Sequence, residues 1–165
     1  MAKQVPGKDA FIALGSNLGD RGAEIEQAID EIAALPGTRL LARSSQYESA
    51  PVLASGGDYR NAVALVRTTL VPLALLRALL AIEAAHGRRR RTANAPRTLD
   101  LDLLLHGDSR LASGELVLPH PRMHERAFVL APLAEVAPGL VVPGRGEVED
   151  LLRGVAAQRI AKLDR

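Results

Sequence analysis

The chain has 165 residues, 21 basic against 19 acidic for a formal charge of +2, and no cysteine. That length suits one domain over residues 1–165 with a single sizeable core. The near-balance of charge excludes a bulk basic nucleic-acid coat, and the lack of cysteine excludes disulfide frameworks, thiol catalysis and thiolate metal sites. Met1–Lys8 is polar, so no signal peptide is expected, and apolar runs such as Leu73–Ile82 fall short of a membrane span. A soluble, cytoplasmic protein is the expectation. Phe11, Tyr47, Tyr59 and Phe128 are the only aromatic residues, so Ala, Leu, Val and Ile must build the core.

Ala10–Leu14 reads as a buried strand closed by a Gly15-Ser16-Asn17 turn. A helix follows from Asp20 to Leu35, with Ile25, Ile29 and Ile32 on one face and Pro36-Gly37 as its stop. Arg39–Tyr47 reads as a second strand, and Ala50–Asp58 as a loop. Asn61–Arg67 alternates as a third strand. Pro72 opens a helix carrying Leu75, Leu76, Leu79, Leu80 and Ile82, and Gly87 caps it. A loop with four consecutive arginines, Arg88–Arg91, leads into a strand at Thr98–Leu105. Beyond lie a short strand at Leu116–Leu118, a turn at Pro119–Arg126, a mixed segment to Pro138 and a terminal helix over Val148–Leu163, weakened by Gly154. The order predicts an α+β fold: a ferredoxin-like βαββαβ core, a mostly antiparallel sheet with helices packed on it, and C-terminal additions.

Within Pro96–Asp102, Asp100 and Asp102 alternate with Leu99, Leu101 and Leu103. Residues i and i+2 of a strand share a face, so both acids point one way with Cα atoms roughly 6.5–7 Å apart. Carboxylates so spaced can hold two divalent metals, or can simply be solvated on an exposed face. Arg97 and the Arg88–Arg91 run favour the first reading, because guanidinium groups bind phosphate oxygens bidentately. His120, Arg122, His124 and Arg126 form a second basic cluster suited to anions. Tyr59 and Phe128 read as core aromatics or as stacking partners for a planar ring whose edge Asn61 would bond.

Several blocks in order resemble the 6-hydroxymethyl-7,8-dihydropterin pyrophosphokinases of folate biosynthesis: residues 13–19 (ALGSNLG), 44–51 (SSQYESAP), 59–63 (YRNAV), Ile82-Glu83 with Gly87-Arg88, 96–102 (PRTLDLD) and 119–126 (PHPRMHER). The resemblance implies transfer of pyrophosphate from ATP to the pterin hydroxymethyl group. It implies two Mg²⁺ ions on Asp100 and Asp102, and nucleotide contacts from Arg88, Arg90, Arg97, His120 and Arg126. Arg88 and Arg97, with the two acids, would be the catalytic set. The pterin would lie between Tyr59 and Phe128, with Asn61 on its edge and Ser49, Ala50 and Val52 completing the pocket. Many members carry Trp-Gly where this chain has Asn94-Ala95, so the family's aromatic lid is missing or replaced. The 52–59 segment also lacks the usual Pro/Gln character. A monomer with small-molecule substrates, no nucleic acid and no membrane is expected. An RNA-binding ferredoxin-like module would need sheet-face aromatics and an RNP-type segment, which this chain lacks. A metal-dependent nuclease would keep the acids without the Tyr59–Asn61–Phe128 pocket.

Overall fold

The computed structural model describes residues 7–17, 20–49, 59–87 and 99–163. Strand β1 (Lys8–Ser16) buries Ala10, Ile12 and Leu14 on one face and Phe11 on the other, the two-residue period of a strand covered on both sides. It runs through Gly15 and Ser16, so the turn expected there begins later. Helix α1 (Arg21–Ala33) starts at Asp20, whose carboxylate accepts the Ala23 N–H at 3.1 Å as an N-cap. Ile25, Ala28, Ile29 and Ile32 form its buried stripe. Gly37 makes the exit turn at φ +62°, where a Cβ would stand 2.0 Å from Thr69 Oγ1.

The second expected strand is two strands, β2 (Thr38–Arg43) and β3 (Tyr47–Ser49). Ser44 divides them: its N–H donates to Val63 O, and its hydroxyl accepts the Val63 N–H, each at 2.9 Å. A side chain thus takes a ladder position and turns the backbone aside. Strand β4 (Tyr59–Thr68), helix α2 (Pro72–Gly87) and strand β5 (Asp100–His106) complete the core. β5, β1 and β4 lie side by side, with β2 and β3 both on the outer side of β4 and every pairing antiparallel. This is the ferredoxin-like order. Both helices cover one face, where Ile12, Leu14, Leu75, Leu79, Leu101 and Leu103 share a core.

The C-terminal additions fill the opposite face. They comprise hairpin strands β6 (Leu111–Ala112) and β7 (Val117–Leu118), a 3₁₀ turn at Met123–Glu125, helix α3 (Ala127–Val136), strands β8 (Val141–Val142) and β9 (Gly146–Glu147), helix α4 (Val148–Gly154) and strand β10 (Ile160–Lys162). The mixed segment is therefore mainly helical. The terminal helix stops at Gly154, and β10 pairs with β3 instead. Gln158 holds that turn by accepting the Ala127 N–H at 2.8 Å and donating to Glu125 O at 2.7 Å. Strand β5 also carries a β-bulge. Phe11 pairs with Leu105 and Ile12 with Leu103, so Leu104 is an extra residue, and Leu104 and Leu105 both enter the α3-side core. No helix among the described residues is long and apolar enough to cross a membrane.

Candidate active site

Register assembles the site. Gly15 on β1 lies between Asn61 on β4 and Asp100 on β5, and Ala13 lies between Val63 and Asp102. These adjacent rows share the α3-side face, since Val63 belongs to that core. With strands about 4.8 Å apart, Asn61 and Asp100 are roughly 10 Å apart across Gly15. A Cβ on Gly15 would stand 3.5 Å from Asn61 Oδ1 and 3.9 Å from Tyr59 Cδ1. Those are ordinary contacts, so this glycine serves as open floor rather than as a conformational necessity.

Leu99, Leu101 and Leu103 are buried at 2–4% exposure, while Asp102 is 45% exposed. The alternation read from sequence is thus realised, and both acids face the α3 side. Among the described residues no three His, Cys, Asp or Glu side chains converge as a closed metal cage. Two hard oxygen donors on one half-open face suit Mg²⁺, which takes one or two carboxylates and completes its shell with water and phosphate. They do not suit zinc.

The bulge brings His120 to these acids. Its N–H donates to the carbonyl of Leu104 at 2.9 Å. Nδ1 accepts the Arg122 N–H at 3.2 Å, so Nε2 carries the proton, 3.9 Å from Asp102 Oδ1. Burial lowers the imidazole's pKa, and Arg126 and Arg122 add to that against an opposing pull from Asp102. His120 is therefore neutral at pH 7 and donates from Nε2. The Arg126 guanidinium lies 5.6 Å from the centroid of the Phe128 ring.

On the Asn61 side, Nδ2 donates to Ser49 Oγ at 2.8 Å and more loosely to Tyr59 O at 3.4 Å, which fixes the amide's orientation. Both Asn61 and Ser49 are buried, at 4% and 6% exposure. Burial and the nearby Asp100 charge raise the Tyr59 pKa, placing that phenol in the field of Asp100. Phe128 reaches the same face from α3, packed on the core that includes Val63. Glu135 ties α3 to the sheet, accepting from Tyr47 Oη at 2.7 Å and from Ser45 N and Oγ at 2.9 and 3.0 Å. Burial would raise its pKa, but these donors and Lys162 outweigh that and lower it.

Comparison with known proteins supplies the family. The family model described as 7,8-dihydro-6-hydroxymethylpterin-pyrophosphokinase (HPPK) matches residues 11–138. The chain belongs to this family. It is 43% identical to the 2-amino-4-hydroxy-6-hydroxymethyldihydropteridine pyrophosphokinase of Methylorubrum extorquens over 145 residues, 87% of this chain and 92% of that one. It is 44% identical to the Pseudomonas aeruginosa enzyme of the same name, covering 93% and 95% of the two chains. Among solved structures, an HPPK-DHPS in complex with substrates superposes with TM-score 0.71 at 12% identity over 90% of this chain. A Plasmodium falciparum HPPK-DHPS triple mutant gives 0.73 at 12% identity over 92%. This chain spans only 43% and 44% of those longer chains, and at such identity the likeness speaks for the fold alone.

Of the residues expected for a pyrophosphokinase, Ser49, Tyr59, Asn61, Asp100, Asp102, His120, Arg126 and Phe128 fall in described elements or turns around this face. Arg88, Arg90, Arg97, Ala50, Val52 and the Asn94-Ala95 departure lie outside the described residues. Sequence reasoning read Gly15 only as part of a turn and assigned no role to Glu83 or Glu135. Glu83 had a signal, its place in an ordered family block. Glu135 meets Tyr47 across 88 positions and had none.

Proposed function

We propose that the α3-side face carries the pyrophosphokinase reaction: the hydroxymethyl oxygen of 6-hydroxymethyl-7,8-dihydropterin attacks the β-phosphorus of ATP. The new O–Pβ bond forms as the bond from Pβ to the α,β-bridging oxygen breaks. AMP leaves with that oxygen, and the hydroxyl proton is lost to solvent. One observation carries this. Two acids and an aromatic–amide pair share one sheet face about 10 Å apart across a glycine floor, room for a flat heterocycle at one end and phosphates at the other.

Asp100 and Asp102 are the residues to hold Mg²⁺, as a pair of ions. When bound, the metal neutralises phosphate charge and stabilises the charge that develops on transfer. Neutral His120 donates Nε2–H to a phosphate oxygen, and Arg126 adds a fixed cation beside it. Arg88, Arg90 and Arg97 supply further guanidinium donors by their match to the family's motifs. Asn61, held by Ser49, presents its remaining amide valences to the pterin edge, and Tyr59 and Phe128 stack on its faces. Ala50 and Val52 are assigned to the same pocket by their match to the family's motifs alone. Among the described residues no side chain on this face is a clear general base, so positioning supplies much of the rate. With ATP as co-substrate, the reaction belongs in the cytoplasm.

Incubating the protein with MgATP and the hydroxymethyl dihydropterin should release AMP only when the pterin is present. Asp100→Ala and Asp102→Ala should each slow this by roughly 10²–10³-fold or more, several kcal/mol of transition-state stabilisation. Near-normal AMP release by both variants would sink the metal assignment. AMP release without pterin would favour a nucleotide hydrolase.

A further inference from the structure

The two acids sit on β5, an outer strand of the sheet. An outer strand leaves alternate N–H groups facing away from its neighbour, with no ladder partner. One of these belongs to Leu101, the residue between the acids. It is not left open, because Glu83 Oε2 on α2 accepts it at 2.6 Å. A carboxylate–amide bond that short is charge-assisted and among the stronger hydrogen bonds a backbone makes.

We propose that Glu83 is a positioning residue for the metal-binding pair, acting through the Leu101 peptide. That peptide joins Asp100 to Leu101, so its plane sets ψ of residue 100 and φ of residue 101. Any rocking about it swings the two carboxylates relative to each other. On its inner side, β5 is fixed by pairing with Leu14 and Ala13 of β1. On its outer side, among the described residues, Glu83 accepts this peptide's N–H. Leu101 is 4% exposed, so water is a poor substitute partner. The acceptor comes from helix α2, so the acid pair is tied to the helix that packs beside β5. Glu83 acts through the backbone rather than on the metal, since its Oε2 already accepts the Leu101 N–H.

This rests on the reading of Asp100 and Asp102 as metal ligands, and the test separates the two. Mn²⁺ binding to the protein with α,β-methylene-ATP, without pterin, is followed by electron paramagnetic resonance, so no turnover is involved. Amide exchange of Leu101 is followed alongside. Glu83→Ala should weaken Mn²⁺ by about 10–100-fold, the scale of losing a group that orients a ligand, and should speed Leu101 exchange. Glu83→Met, which keeps side-chain length and helix propensity but has no oxygen, should do the same and covers the case in which the alanine variant fails to fold. Glu83→Gln keeps an acceptor and should hold Mn²⁺ within about threefold of wild type. A glutamine variant as weak as the alanine one would overturn the proposal in favour of a role for charge. Wild-type Mn²⁺ affinity in the alanine and methionine variants would overturn it outright. Asp102→Asn is the control: if it too binds Mn²⁺ like wild type, the metal reading itself has failed. If it alone loses Mn²⁺, only the role of Glu83 has.

Discussion

At Gly15 the two halves of the site are one strand apart, and the space above it is bounded by Asn61 Oδ1 and Tyr59 Cδ1 at 3.5 and 3.9 Å from where a Cβ would be. Alanine fits the backbone there, so Gly15→Ala should fold with an unchanged melting temperature. Its methyl would occupy floor that the heterocycle needs. Steady-state kinetics should show KM for the dihydropterin rising roughly tenfold, within the 1–3 kcal/mol that one carbon is worth in a tight pocket, with KM for MgATP little changed. An equal rise in both would argue against this placement. The acids were legible in sequence because strand parity alone puts i and i+2 on one face. Gly15 was not, because Gly-Ser-Asn is also the composition of a turn, and only its pairing with Asn61 and Asp100 shows that it stays in the ladder.

The same limit appears between elements. Helix α2 was readable from its leucines, and Leu75, Leu79 and Ile82 are indeed its buried residues, but the stripe continues to His86 at 1% exposure. Its Nδ1 and Nε2 each lie 2.5 Å from a carboxylate of α1, Glu24 and Glu31 respectively. Carboxylates only accept, so both nitrogens donate and His86 is a buried imidazolium clipping the two helices together. Burial alone would lower its pKa, and the hydrogen bonds to Glu31 and Glu24 outweigh that and raise it. A folded-state pKa above the unfolded value of about 6.5 gives stability that is whole below pH ~6.5 and lost as pH rises through the folded pKa. His86→Ala should cost roughly 1.5–3 kcal/mol at pH 6 and less above the folded pKa. Melting temperatures taken across that window should fall for wild type and show a shallower fall in the variant. Parallel curves would remove the imidazolium from the account. A histidine in register with core leucines was the available signal, yet its partners on another helix have no local signature.

Over the whole molecule, the core order was readable because its strands and helices, the three-residue β3 apart, are long enough to show a period. Of the additions, only the strand ending at Leu118 and the start of the helix at Val148 were readable. β6 to β10 are two or three residues each, too short to show a period, and β10 exists through β3, more than a hundred residues away, with Gln158 and Ala127 holding the turn before it. Yet those additions make the sheet two-sided, with helices α1 and α2 on one face and the candidate chemistry on the other. The bulge in β5 serves that division. By the rules of regular strands Leu104 is surplus, and a designer smoothing the ladder would delete it. The deletion would leave Asp100, Asp102 and His120 all present and the pairing with β1 tidier. It would also remove the carbonyl that holds the His120 N–H and shorten the tether between acid and imidazole by one residue. Such a variant should keep a native-like circular dichroism spectrum, melt earlier through loss of a buried leucine, and release AMP at least about tenfold more slowly well below its melting temperature. Length, in that strand, is as much a part of the site as any side chain, and tolerance for an added or missing residue belongs in the exposed hairpin before Leu116.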